Sequence, residues 1–456
     1  MSPPVTELLS TLREYKSLDP KPESGRLFSY LYETGDPELS RLTGEAYRMF
    51  LDTNALDPTV FKSALVFERE VVGFSKSLVH AGDDVVGTAT YGGTESIILA
   101  LTAAREWYRR RRTGTPKVVV PVTGHPSIRK AAWLLGMRVV EAPVDPESKK
   151  ADSEAVKELV DDNTALVVLS APNYPYGVVD PVRDVAEYTS DRGVLLHVDA
   201  CVGGFILPIM EMLGERVEPY DFRIEGVTSL SMDAHKYGYT PKGASIVLFR
   251  GGELKEGTVY VDLGWPGYPF INTTVLSSRT AAPLAAAWAV FQYLGVEGYK
   301  RLTARVLEAR DRILNGMRKL GFRSLAPLES PLLSLALESS EDTIRYHASM
   351  SLKGWIIGLQ PPLEGVAPYN IHLTITPIHH GIADEFIEDS RRSLAEPPPR
   401  ELLEAYRLLE EDPLRLAGMV GETPVAGATI ALLLASIPAD VAVEMARKLT
   451  VEVFKG

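Results

Sequence analysis

A chain of 456 residues, 45% hydrophobic and 24% charged, has an ordinary soluble globular composition and is long enough for a large domain with one or two smaller ones. Its net charge of −12 argues against nucleic acid as a partner, and its single cysteine, Cys201, excludes an internal disulfide and points to a reducing cytoplasm. The start, Met1-Ser-Pro-Pro-Val5, shows no basic or apolar leader, and the longest apolar run, Val425 to Pro438, is shorter than the roughly 20 residues of a membrane span.

That run reads as a buried or interface helix. Glutamine occurs only at positions 292 and 360, while Glu, Arg and Pro are abundant. The bias fits a thermophilic source, or a biased genomic base composition.

In chain order, residues 1–53 form an N-terminal helical segment, with apolar spacing that predicts helices over Val5 to Tyr15 and Pro37 to Leu51. A large domain, 54–297, opens with a helix at 60–79, a Gly-rich turn at 87–93 and a helix from Thr94 to about Arg112. The Arg109–Arg112 run is the solvated end of that helix, where cations favour the dipole, rather than a polyanion site. Strands are predicted at Lys117–Val122, Arg138–Val144, Ala165–Ala171, Val194–Asp199, Thr228–Asp233 and Ala244–Phe249. The helices Pro126–Leu135, Ser153–Val160 and Pro181–Arg192 fall between them.

Short β-branched runs alternating with helices imply a mainly parallel sheet covered on both faces. Helices at 281–295 and 298–320 lead into a small α/β domain, 298–396. It holds strands Leu332–Leu337, Trp355–Leu359 and Ile371–Thr376 and helices near 341–351 and 382–395. Pro397–Pro399 then introduces a helical tail, 397–456.

Chemistry concentrates at two strand ends. His197-Val-Asp-Ala200 closes one apolar run, and Ser231-Met-Asp-Ala-His-Lys-Tyr-Gly238 delivers Lys236 into a Gly/Pro-rich loop. A loop lysine can form a Schiff base with the aldehyde of pyridoxal 5'-phosphate, and burial favours the neutral amine that this attack needs. Asp199 can keep the pyridine nitrogen protonated, so that the ring accepts electrons. In Tyr91-Gly-Gly-Thr-Glu-Ser96, Gly92, Gly93 and Thr94 lie where a loop becomes a helix, and free N–H groups there suit a phosphate. His125, in Gly124-His-Pro126, follows a strand end, and His235 stands beside the lysine as a proton donor or phosphate ligand. Lys242 is equally readable as a substrate contact or a solvated loop lysine, and Asp57 as a substrate contact or a helix N-cap before Pro58. No metal ligand set is assigned.

Asp199-Ala-Cys-Val-Gly-Gly-Phe205, Asp221-Phe-Arg223 and Asp233-Ala-His-Lys-Tyr-Gly-Tyr-Thr-Pro-Lys-Gly243 resemble the sphingosine-1-phosphate lyases of the group II pyridoxal-dependent decarboxylase superfamily. The similarity runs from about Gly25 to Leu394. Tyr15-Lys-Ser-Leu-Asp19 and Asn54-Ala-Leu-Asp-Pro58 are similar instead to archaeal tyrosine/aspartate decarboxylases. The resemblance implies the aspartate-aminotransferase-like fold (fold type I) and a homodimer. It also implies that the His125 ring stacks on the pyridine and that Lys242 contacts a substrate phosphate. Ser278 and Arg279, in Ser277-Ser-Arg-Thr280, are implied to reach the neighbouring subunit's cofactor phosphate.

Three positions depart from the lyase pattern. Its Asn-x-Leu-His is here Asn54-Ala-Leu-Asp57, its Ser-Gly-Ala-Val-Tyr is Ser24-Gly-Arg-Leu-Phe28, and its Pro-His-Gly is Pro175-Tyr176-Gly177. With Asn54, Asp57, Tyr176 and Lys242 as the substrate residues, a phosphate site loses polar partners. The expected function is a carbon–carbon lyase, cleaving a 2-amino-3-hydroxy substrate, phosphorylated or not, to an aldehyde. The alternative is an amino-acid decarboxylase, although the Ile371–Thr376 strand lacks the arginine that the archaeal decarboxylases carry there. A non-catalytic protein on this fold would need a broken cofactor site, and Lys236, Asp199 and His125 are all present.

Overall fold

A computed structural model describes residues 3–57, 59–411 and 439–453. Its centre is a seven-stranded sheet of β1 Val85–Thr90, β2 Lys117–Pro121, β3 Arg138–Ala142, β4 Thr164–Ser170, β5 Leu195–Asp199, β6 Ser229–Met232 and β7 Ser245–Arg250. The order is β1-β7-β6-β5-β4-β2-β3. The pairs β2–β3, β2–β4, β4–β5 and β5–β6 are parallel, and β7 runs antiparallel to both β6 and β1. Every residue of β2, β4 and β5 is buried, as expected of strands covered on both faces.

Strand β1 corrects the sequence reading, which placed a Gly-rich turn at 87–93. A Cβ on Gly87 would lie 2.6 Å from Leu248 Cδ2 and 2.7 Å from Val72 Cγ1. The glycine therefore lets strand, neighbour and helix approach, and is not a turn. Because β7 alone is reversed, β1, β2, β5 and β6 all end at one edge of the sheet. Tyr91, His125, Asp199 and Asp233 follow those ends, the place where open α/β sheets build their sites.

Helices cover the sheet and extend beyond it: α1 Val5–Lys16, α2 Pro37–Met49, α3 Lys62–Leu78, α4 Gly93–Arg109, α5 Pro126–Leu135, α6 Ser153–Glu158, α7 Val182–Asp191, α8 Leu207–Met212 and α9 Gly252–Glu256. A hairpin, β8 Tyr260–Asp262 and β9 Phe270–Asn272, precedes the long α10 Ala282–Lys319. The two helices expected at 281–295 and 298–320 are both present within this span: they meet at Gly295, whose φ of 51° and ψ of −176° are not helical and are open to glycine at little cost.

The smaller unit is an antiparallel sheet of β10 Arg323–Ser324, β11 Leu332–Ala336, β12 Gly358–Gln360 and β13 Asn370–Thr374, in the order β10-β11-β13-β12. It is flanked by α11 Ser340–Leu352 and α12 Ala383–Ala395. The strand expected from Trp355 begins only at Gly358. The loop before it pairs instead with the N-terminal segment: Ile356 N–H donates to Arg26 O, and Phe28 N–H to Ile356 O, both at 2.8 Å. Thr374 N–H donates to Phe28 O at 2.9 Å, and the buried Phe28 ring stacks on His379 at 4.0 Å. Residues 26–28 are thus built into the small sheet, although the sequence reading assigned 1–53 to a separate helical segment. The tail contributes α13 Arg400–Glu411 and α14 Ala439–Val453, while the apolar run at 425–438 lies outside the described residues. Among those residues, no helix is long and apolar enough to cross a membrane.

Candidate active site

Beyond β6 the chain turns tightly: Lys236 N–H donates to Asp233 O at 3.2 Å and Tyr239 N–H to Lys236 O at 2.9 Å. This returns the Lys236 side chain onto Asp233, with Nζ 2.9 Å from Oδ2. His235 Nε2 lies 3.6 Å from the same oxygen. His235 Nδ1 faces Ala244 O at 3.0 Å, which makes Nδ1 the protonated nitrogen of the neutral ring.

Burial lowers the Lys236 pKa, but Asp233, then Cys201, Tyr32 and Asp199, outweigh it and raise the amine above its ordinary value. The sequence reading, that burial frees the neutral amine, is corrected by Asp233: without the cofactor, Lys236 is an ion-paired ammonium. Burial acts to raise Asp233, but Lys236 and His235 more than offset it and hold the carboxylate below its usual range.

Asp233 Oδ1 is buried without a hydrogen-bond partner. A Cβ added to Gly93, at the start of α4, would lie 2.8 Å from both Asp233 oxygens and from Cys201 Sγ. Only glycine lets the α4 N-terminus come so close. Gly92 is its N-cap and Thr94 stands in the first turn, where helix N–H groups lack intrahelical partners. Asp199 leaves the end of β5; its Oδ1 accepts Cys201 N–H at 3.1 Å and faces Ser231 Oγ at 3.4 Å. His125 caps α5, and its Nδ1 accepts Ser127 N–H at 3.2 Å, so Nε2 carries the proton of the neutral ring. Desolvation lowers the His125 pKa, Asp199 opposes this and Lys236 adds to it, which ties His125 to the same cluster.

An amine, a carboxylate at a strand end, an imidazole ring and a glycine-opened helix N-terminus converge here. They fit pyridoxal phosphate: the buried Asp233 oxygen that lacks a partner can accept from an N–H of the cofactor, and the α4 N-terminus, which Gly93 lets in against Asp233 and Cys201, offers free amides to its phosphate.

Other sequence-derived residues are placed elsewhere. Asn54, Asp57, Ser278 and Arg279 line a cavity of about 720 Å³ together with Glu68 and Tyr268. Arg279 Nη1 donates to Thr274 Oγ1 at 2.8 Å. Asp57 Oδ1 accepts the hydroxyl and amide of Thr59, at 2.6 and 2.9 Å, which lowers its pKa. Asp57 thus ties a local turn and caps no helix, since α3 begins only at Lys62 with Phe61 as its N-cap, and it does not come to Lys242 of the same chain. Tyr176 is buried among Val178, Leu325, Ala336 and Ala367, so its ring packs rather than facing Lys236.

Lys242 lines a separate cavity of about 240 Å³ with Tyr32, His235 and Tyr239, and its Nζ is 5.7 Å from the Tyr32 ring centre. Burial, then Lys236, lowers the Lys242 pKa.

Three site residues escaped the sequence reading. Tyr32 interacts with Lys236, Asp233 and Cys201, and burial raises its pKa. Its hydroxyl lies in the cluster although Phe28, four positions earlier, has none. Tyr174, in Asn173-Tyr-Pro175, also interacts with Lys236; its pKa is raised by burial, and its hydroxyl bonds to Thr374 and Ser29. Asp233 stood inside the motif that announced Lys236, and the salt-bridge spacing of three residues was the signal for it.

The conserved domain of the pyridoxal-dependent decarboxylases matches residues 64–326. Sphingosine-1-phosphate lyase 1 of Rattus norvegicus is 34% identical over 397 residues, which span 86% of this chain and 68% of that protein. A probable L-tyrosine/L-aspartate decarboxylase of Methanosphaera stadtmanae is 29% identical, over 84% of this chain and 95% of its own. Among solved structures, a Burkholderia pseudomallei sphingosine-1-phosphate lyase superposes with a TM-score of 0.81 at 31% identity, covering 90% of this chain and 95% of that one. Lactobacillus brevis glutamate decarboxylase reaches 0.76 at 21% identity, over 87% and 93%, a likeness of fold.

Proposed function

The chain belongs to the pyridoxal-dependent decarboxylase family and is a pyridoxal-phosphate-dependent lyase, and we propose that it cleaves the Cα–Cβ bond of a phosphorylated 2-amino-3-hydroxy substrate to release an aldehyde. One observation carries the choice of substrate. A cation, Lys242, and a phenol, Tyr32, meet on a cavity that His235 also lines, and Tyr32 interacts with Lys236 as well. A phosphate held there would sit one side chain away from the reacting amine, through charge-assisted hydrogen bonds. On β13, His372 and Thr374 back Tyr174 with no arginine to take a substrate carboxylate.

When bound, pyridoxal phosphate supplies a sink for the electron pair released at Cα. Lys236 would hold it covalently, Asp199 would face the pyridine nitrogen, the His125 ring would lie against it, and Gly92, Gly93 and Thr94 would present amides to its phosphate. Asp233 would hold the free Lys236 amine as an ammonium once it is released from the cofactor. Tyr174, which also interacts with Lys236, would exchange a proton with the β-hydroxyl of the substrate, leaving Tyr32 to the phosphate.

A homodimer with a shared site belongs to the same reading. Arg279 and Ser278 lie in a cavity apart from Lys236, and the neighbouring hairpin exposes Leu263, Trp265, Tyr268 and Ile271. A cytoplasmic setting and a thermophilic source are supported by the lone buried cysteine and by the scarcity of glutamine.

The test is to incubate holoenzyme with phosphorylated amino alcohols and with amino acids, measuring aldehyde and carbon dioxide together. Aldehyde without carbon dioxide, weakened by Lys242→Ala for phosphorylated substrates alone, is the expected result. Carbon dioxide from tyrosine, aspartate or glutamate would establish the decarboxylase instead.

A further inference from the structure

Glu95 has no part in the chemistry above, yet it touches both the anion-binding turn and the segment that carries Arg279. It stands in the first turn of α4 and is 8% exposed. Its Oε2 accepts Tyr91 N–H at 2.6 Å, in the turn leading to Gly92, Gly93 and Thr94. Its Oε1 accepts Val275 N–H at 2.8 Å and Leu276 N–H at 3.2 Å.

The adjoining Thr274 hydroxyl receives the Arg279 guanidinium at 2.8 Å and lies 2.7 Å from Leu276 O. A carboxylate buried at a helix N-terminus is favoured by the dipole, and three N–H donors compensate its lost hydration. A glutamine of the same shape cannot do this, because its NH₂ would oppose an N–H on one side.

We propose that Glu95 is a positioning residue that couples the two cofactor sites of the homodimer. This rests on the intersubunit reading of Arg279. Phosphate on the 92–94 turn fixes the Tyr91 amide and so the Glu95 carboxylate. The carboxylate in turn fixes segment 274–279, and Arg279 meets the partner's site already ordered. The turn and the segment, held as one unit by the three N–H bonds to Glu95, are oriented for both sites by the first phosphate bound, so the coupling is positive.

The test is an equilibrium titration with pyridoxal phosphate of the Lys236→Ala protein, in which binding is non-covalent, with and without Glu95→Gln. Sedimentation is run on the same samples. The expected result is a dimer whose second site binds about tenfold more tightly than the first, with Glu95→Gln removing that difference and weakening binding. A dimer with equivalent sites, or coupling that survives Glu95→Gln, overturns the role of Glu95. A cofactor-loaded monomer overturns the intersubunit reading itself. Should Glu95→Gln fail to fold, hydrogen exchange of the unaltered protein decides. Cofactor must protect the amides of Val275 and Leu276 together with that of Tyr91, and unchanged exchange at 275–276 contradicts the proposal.

Discussion

The Lys236 cluster and the Arg279 cavity are both built from charged side chains, but they are finished to different degrees. At Lys236, a single chain brings amine, carboxylates and imidazole together, and Asp233 and Lys236 neutralise each other at 2.9 Å. At Arg279, the guanidinium rests on one threonine hydroxyl at the edge of an open cavity rimmed by exposed Tyr268 and Ile271. Burial with internal pairing marks a cluster that one chain assembles by itself. A cation beside exposed apolar surface marks one that needs another molecule.

The largest expected effect breaks the first region. Lys236→Ala should reduce turnover to background, since the nearby Lys242 amine lines a separate cavity, while borohydride should fix cofactor to the peptide containing Lys236 in the unaltered protein. Label on another lysine would remove Lys236 from its role. Next comes Gly93→Ala, which drives a methyl to 2.8 Å from Asp233 and Cys201. Overpacking of this kind costs about 1–3 kcal/mol. It should appear as a cofactor dissociation constant raised about 5- to 100-fold, and unchanged cofactor binding would mean that the α4 N-terminus is not the anchor. In the second region, Arg279→Ala removes one charge-assisted contact, about 1.5–3 kcal/mol or roughly 10–100-fold in cofactor affinity.

A further effect, read in stability and not in activity, separates the ion pair from the core around it. Asp233, depressed in the folded state, adds stability above the ordinary carboxylate pKa of about 4 that is lost as pH falls through its lower folded value. Lys236, raised, adds stability below the ordinary lysine pKa of about 10.4 that is lost only as pH rises through its higher folded value. Between those limits the pair is constant.

Buried His197, His347, His372 and His379 are each pushed down by burial to about 4. The unfolded chain therefore binds more protons than the folded one between pH 6.5 and 4. Urea unfolding of the apoprotein should lose stability across that window, by at most about 1.4 kcal/mol per pH unit for each ring. A flat profile there would show that these rings can accept protons while folded.

Much of the first region was legible in the sequence because its chemistry sits at ends of strands with strong local patterns. Asp199 closes an apolar run, Gly92-Gly93 opens a helix, and Lys236 lies in a turn rich in glycine and proline. Strand β1 was not legible, because Gly87 reads as a turn until Leu248 and Val72 are seen against it. Tyr32 was not legible because it carries no motif of its own, and Phe28, where the lyase pattern has a tyrosine, is buried by the fold against His379. Tyr174 and Tyr176 differ by two positions and no spacing rule separates them; packing against the small domain decides which ring reaches Lys236. The hairpin β8–β9 carries its apolar residues outward, so neither alternation nor burial announced it.

Mixed dimers test most directly whether the two regions form one site across a subunit boundary. Lys236→Ala and Arg279→Ala proteins, each impaired alone, are combined, allowed to exchange subunits, and assayed at a cofactor concentration that saturates only the unaltered enzyme. If Arg279 serves the partner's Lys236, each heterodimer holds one intact site, and a random mixture should regain about a quarter of full activity. If Arg279 serves its own chain, no heterodimer has an intact site, and activity that stays at the average of the two parents would contradict the shared site.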